Sequence, residues 1–236
     1  MEMRAVARKV AYVVFWYVIY LNLVLYIFIP VIFTQLEYQL LILNMIATGT
    51  IDTVLRPLSE RGSARDKYSI LMLILFLLTP FLWILSYYEN NLIISALAPF
   101  WDADIVSYAG LIIFIGGSAI SIVGRMQLKS FGSGCIVIEE KHELVQSGIY
   151  SKIRHPIYLG GLIGAPAMLL VFRAVLIPLL ALLVYFVVLR GRMQKEEEIL
   201  KDEFPKSYVS EWMPRDTRNY KAVLRVWDLK EQPLEN

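Results

Sequence analysis

Polar residues in this chain separate long apolar runs rather than alternating with them, the pattern of helices that are apolar on every side. Six runs approach the roughly 20 residues that a helix needs to cross hydrocarbon: residues 10–33, 36–55, 69–88, 105–123, 157–172 and 174–189. Pro30 falls near the end of the first, and Pro80 interrupts the third. The second carries Asn44 and, near its end, Asp52, four residues before Arg56, a spacing that suits a helix end close to water. The last two runs are the shortest, which suggests a tight hairpin that just crosses the membrane or stops short of its far surface. The expected fold is all-α, a polytopic membrane protein with about six transmembrane helices.

The gaps between the runs carry the charge, and basic residues are segregated. Arg4, Arg8 and Lys9 precede the first run, and Arg56, Arg61, Arg65 and Lys67 lie between the second and third. Arg125, Lys129, Lys141, Lys152 and Arg154 lie between the fourth and fifth, and the rest follow the sixth from Arg190 onward. With six spans, all but one of the 23 lysines and arginines fall on a single side; the exception is Arg173, at the hairpin tip. Loops rich in lysine and arginine stay in the cytoplasm, so both termini are expected there. The basic N-terminus precedes an apolar run with no Ala-x-Ala cleavage pattern after it, which reads as a retained span rather than a removed signal. Residues 1–127 then form four spans with short loops, and residues 128–236 hold a polar loop, the hairpin and a charged tail.

Composition agrees with this picture and removes several function classes. Apolar residues make up 57% and charged residues 19% of the 236, with a mean hydropathy of +0.55; soluble domains run about 45–50% and 25%. A soluble globular domain is therefore excluded. The single cysteine, Cys135, rules out an intramolecular disulfide and any multi-cysteine metal site. The two histidines show no His-Glu-x-x-His spacing, so no metal is expected. No nucleic-acid partner is expected either.

Chemistry belongs in the polar stretches of the second half. Before the fifth run the chain reads Lys141-His142-Glu143-Leu144-Val145-Gln146-Ser147-Gly148-Ile149-Tyr150, then Ser151-Lys152-Ile153-Arg154-His155-Pro156-Ile157-Tyr158. Proline suits the first turn of a helix, where its missing N–H costs nothing. Arg154 and His155 then stand at the mouth of that helix, whose free N–H groups and dipole favour a carboxylate. Tyr150 and Tyr158 offer rings for a flat group or a cation, and Gly160, Gly161 and Gly164 allow close approach. Each residue alone has an ordinary explanation, since basic residues, interfacial tyrosines and small residues all recur in spanning proteins. Their concentration, with both histidines in one loop, is what points to a site. After the sixth run come Arg190, Arg192 and Lys195 to Glu198, then Ile199, Leu200, Phe204 and Tyr208 at helical spacing, so the helix is expected to continue out of the membrane. An isolated run of this kind is ordinarily a solvated face with pairs worth about 0.2–0.5 kcal/mol each.

Two linked blocks resemble the isoprenylcysteine carboxyl methyltransferase family, itself related to the phospholipid N-methyltransferases. The first is His142-x-Leu144-Val145-x-x-Gly148-x-Tyr150-x-x-x-Arg154-His155-Pro156-x-Tyr158-x-Gly160; the second is Arg192-x-x-x-Glu196-Glu197 with Leu200, Phe204 and Tyr208. As in the family, an apolar helical hairpin lies between them. The resemblance covers about residues 140–215. It departs at Phe204-Pro205, where the family has Phe-Gly, and the spacing to Phe204 selects Glu196 and Glu197 over Glu198.

The resemblance implies S-adenosylmethionine as methyl donor, in a cytoplasmic pocket formed by the loop before the fifth helix and the C-terminal helix. No Gly-x-Gly-x-x-Gly loop supports a soluble-type cofactor fold. His142, Leu144, Val145, Gly148, Tyr150, His155, Pro156, Tyr158, Glu196 and Glu197 are the implied cofactor-binding residues, and Arg192, Glu197 and Arg154 the implied catalytic ones. The implied partner is a lipidic methyl acceptor entering from the bilayer. An isoprenylcysteine carboxylate is the first expectation and an aminophospholipid the second. A sterol-reductase-like protein and a non-enzymatic membrane scaffold are the readings outside methyl transfer.

The topology is open to direct measurement. In intact cells, cysteines placed at Ser63 and Ser95 are expected to differ in labelling by a membrane-impermeant thiol reagent, only position 95 reacting from outside; equal reactivity would reject six spans with cytoplasmic termini.

Overall fold

The computed structural model describes residues 2–55, 67–94, 96, 103–128, 145 and 147–203, and among these every regular element is helical. Helix α1 (Glu2–Val13) runs through a π-helical stretch (Val14–Tyr20) into α2 (Leu21–Phe28). A 3-10 turn (Pro30–Thr34) leads to α3 (Leu36–Leu55), followed by α4 (Lys67–Glu89) with a π-helical extension (Asn90–Ile94). Then come α5 (Ala103–Leu128), a 3-10 turn (Gly148–Ser151), α6 (Pro156–Leu170) and α7 (Leu176–Glu203). By packing, the chain divides into residues 1–189 and residues 190–236. The composition-based division at 127/128 asks a different question, where the chemistry lies.

Among the described residues, five stretches are long and apolar enough to cross a membrane: Ala7–Phe28, Leu36–Leu55, Ile70–Ile94, Asp104–Leu128 and Leu176–Ile199. The fifth run of the sequence is the shorter apolar helix α6, with 15 residues. At 1.5 Å per residue it spans about 22 Å, less than the roughly 30 Å of a hydrocarbon core. The sixth run is not short: its helix continues through the charged segment to Glu203, as the helical spacing beyond residue 190 led one to expect. The first run ends early. Ile29 leaves helical geometry (φ −143°, ψ 62°) because it precedes Pro30, and a proline disfavours the α conformation of the residue before it. Pro80, by contrast, does not stop α4. Tyr20 Oη donates to Leu77 O (2.5 Å) and Thr79 Oγ1 to Leu75 O (3.1 Å), so hydroxyls engage carbonyls of the turn that proline perturbs.

Two kinds of contact hold residues 1–189 together. Small residues let backbones touch: on α5, Gly110, Gly117 and Gly124 recur every seven residues and meet α6 and the turn after it. A Cβ built on Gly117 would stand 2.8 Å from Gly160 O, and one on Gly124 2.9 Å from the Pro156 ring. Polar pairs cross between helices as well. Asn44 Nδ2 donates to Ser118 Oγ (3.0 Å), Tyr38 Oη to Asn22 Oδ1 (2.7 Å), and Ser107 Oγ to Val171 O (2.7 Å). Asp52 pairs across to Arg125 on α5 (3.0 Å); its expected partner Arg56 lies outside the described residues. At the same end, Lys9 Nζ donates to Val54 O (2.8 Å), placing a cation on the last turn of α3.

The opposite end is pinned by charge. Arg173 adopts φ 63°, unusual for a residue with a side chain. Its guanidinium donates to Gln35 Oε1 (2.9 Å), Glu37 Oε1 (3.1 Å) and Asp104 Oδ1 (2.7 Å). Glu89, almost wholly buried, accepts from Val175 N, Leu176 N and Ile177 N at 2.7–2.8 Å and so caps α7. The tip joining α6 to α7 is thereby tied to α3, α4 and α5. Beneath it pack Tyr38, Trp83 and Phe172, with the last two rings 5.3 Å apart.

Removing the Glu89 carboxylate strands three helix N–H groups away from water. Glu89→Ala is expected to cost about 2–4 kcal/mol, and Glu89→Gln, which keeps one acceptor, less. Thermal melting in detergent checks the order; an alanine variant as stable as the parent would show that the cap does not hold the tip.

Candidate functional site

The polar loop reaches the start of α6 through a short, well-anchored turn. Gly148 stands at φ 62°, in the left-handed region that favours glycine. The 3-10 turn that follows is closed by Tyr150 N to Ser147 O (3.2 Å) and Lys152 N to Ile149 O (3.1 Å). His155 is the residue before Pro156, and its non-helical geometry (φ −125°, ψ 64°) turns the chain into the helix. Its carbonyl accepts the first helical bond, from Leu159 N (2.9 Å), while its imidazole makes no capping bond. The ring lies nearly parallel to that of Tyr158, with centroids 5.5 Å apart and planes 21° apart. The two therefore present stacked flat surfaces at the N-terminus of α6.

The last turns of α5 hold this segment in place. Tyr150 Oη donates to Gly124 O (3.3 Å), Ile149 N to Gln127 Oε1 (2.9 Å), and Ser121 Oγ to Ile157 O (3.2 Å). Pro156 is buried against Gly124. Gly124, Gln127 and Ser121 lie outside the motif, and nothing in its spacing marks them. The three glycines of α6 divide by role. Gly160 faces Ser121 and the Gly117 carbonyl so closely that any Cβ would overlap them, and Gly164 meets the Phe114 ring. Gly161, one turn beyond Tyr158, has nothing within 4 Å of its Cβ position.

The remaining residues of the motif fall as follows. Tyr150, Arg154, His155 and Tyr158 are half-buried, as is Val145. His142 and Leu144 lie outside the described residues, as do Phe204 and Tyr208. Arg192, Glu196 and Glu197 belong to the unit of residues 190–236 and share one stretch of α7; Arg192 is buried and the two glutamates are half-buried. Glu198 is exposed and pairs with Lys195 (3.0 Å), an ordinary surface pair three residues apart. Among the described residues no group of three or more His, Cys, Asp or Glu side chains could hold a metal ion.

Residues 105–207 match the family model of the phospholipid methyltransferases. The matched region takes in nearly all of α5, the loop, α6 and the whole of α7, and it supports a membrane methyltransferase. No protein of curated function matches, and no solved structure does.

The two neighbouring glycines give a sharp contrast. Gly160→Ala is expected to force α5 and α6 apart and to lower the melting temperature by several degrees, the scale of an overpacked core at about 1–3 kcal/mol. Gly161→Ala is expected to melt within about a degree of the parent or above it, since alanine favours helix over glycine. Equal melting of the two would mean that the close packing at Gly160 is not what sets the start of α6.

Proposed function

We propose that this protein is an integral membrane methyltransferase that transfers the methyl group of S-adenosylmethionine to a lipid-borne acceptor at the cytoplasmic surface. The observation that carries the reading is the stacked His155–Tyr158 pair at the N-terminus of α6, held by α5 inside the region matched to methyltransferases. The residues present suit the donor molecule. Flat rings suit an adenine, the first turn of α6 suits a carboxylate, and the carboxylates of Glu196 and Glu197 suit an ammonium or sulfonium. His142, Leu144, Val145, Gly148, Tyr150 and Pro156 complete the proposed surface. When bound, the donor supplies an electrophilic methyl group on a sulfonium.

The protein's part is alignment and exclusion of water, because displacement at a methyl group needs the acceptor in line with the departing sulfur. A carboxylate acceptor arrives ionised and needs only a cation to orient it, the role proposed for Arg192 or Arg154. An amine acceptor must lose a proton, and Glu197 would take it. Two acceptors follow. An isoprenylcysteine carboxylate is the first reading, supported by the two motif blocks. An aminophospholipid is the second, supported by the match to the phospholipid methyltransferases.

Methyl-labelled donor offered with a prenylated cysteine or with aminophospholipid vesicles separates them: label is expected in one lipid class. Intact protein that labels neither would remove both readings. Among variants, Arg192→Ala and Glu197→Gln are each expected to lower turnover on the order of 100-fold, with melting temperatures close to the parent's. Glu197→Gln and His155→Ala should act mainly on cofactor affinity, and Arg192→Ala on turnover at saturating cofactor. Parent-like rates in both Arg192 and Glu197 variants would reduce the acidic run to a solvated helix face.

A further inference from the structure

The loop that carries Gly148, Tyr150 and His155 meets α5 at one side chain that no motif contains. Gln127 is the penultimate residue of α5 and is half-buried. Its Oε1 accepts from Ile149 N at 2.9 Å, in the middle of the 3-10 turn. Its amide also fills the space beside Gly148: a Cβ there would come within 2.7 Å of the Gln127 Cδ and closer still to its nitrogen. Gly148 is thus constrained twice, by its φ of 62° and by the amide packed against it. Tyr150, two residues on, closes the contact through Gly124 O.

We infer that Gln127 is a positioning residue, which sets the height of the Gly148–Ser151 turn on α5 and through it the approach of Tyr150 and His155 to the cofactor. The inference rests on the proposed methyltransferase reading for its catalytic consequence, but not for its structural one. An amide at 127 offers both an acceptor for the Ile149 N–H and a flat surface for the glycine. Leucine would keep the bulk without the acceptor, glutamate the acceptor with nearly the same shape, and alanine neither.

Three variants of the full chain in detergent, Gln127→Ala, Gln127→Leu and Gln127→Glu, test this with two readouts. The first is hydrogen exchange of residues 147–153. Alanine and leucine are expected to speed it roughly fivefold to tenfold, the scale of one hydrogen bond, with residues 110–124 unchanged and glutamate close to the parent. The second is methyl transfer: alanine and leucine should lower kcat or raise the KM for the donor by a similar factor, glutamate should restore it, and the KM for the lipid should hold. Unchanged exchange in the leucine variant overturns the anchor. Faster exchange with parent-like kinetics overturns the positioning role. A parent chain that transfers no methyl group refutes the proposed function instead, and the exchange readout then decides the anchor alone.

Discussion

At Gly117 and Gly160 the backbones of α5 and α6 touch, and the rest of the site hangs on that approach. Helices in a bilayer gain nothing from excluding water between them, so their association depends on close packing and on polar groups that satisfy one another. Here glycine supplies the first and Ser121, Tyr150 and Gln127 the second. Because α6 begins at Pro156, packed on Gly124, the contact fixes where the helix mouth stands. His155 and Tyr158 inherit their positions from it.

The two ends of residues 1–189 are built differently. At one end the hairpin tip is clamped by Arg173 and Glu89 to three other helices, with carboxylates, a guanidinium and helix N–H groups satisfying one another. A tip held this firmly lets the short helix α6 keep its register without reaching across the full hydrocarbon thickness. At the other end α5 presents single hydrogen bonds to a turn. In the proposed reading, this is the end at which cofactor and lipid come and go.

Much of the architecture was legible in the apolar runs. The second run matches α3 residue for residue, and the fourth lies wholly within α5, because uninterrupted apolar length is a strong signal for a spanning helix. The first run's end was misjudged because apolarity continues past Pro30 while helical geometry does not. Arg173 showed in the sequence only as an exception to charge segregation. Its partners Glu37 and Asp104 are 136 and 69 residues away, and no local spacing encodes them. For the site, the motif marked Tyr150, His155, Pro156 and Tyr158, which gather at one helix mouth. It was silent on Gln127, Ser121 and Gly124, which hold that mouth from another helix. Nor could it separate Gly160, which packs, from Gly161, which opens, since the difference lies in what a neighbouring helix brings to each.

In the proposed reading, the loop and the mouth of α6 belong to a binding site for an S-adenosyl nucleoside. Calorimetric titration of the detergent-purified full chain with S-adenosylhomocysteine tests it without any assumption about the lipid. Saturable binding at about one molecule per chain is expected. Absence of saturable heat up to about 1 mM, the upper end of ordinary substrate constants, in protein that melts cooperatively would contradict it.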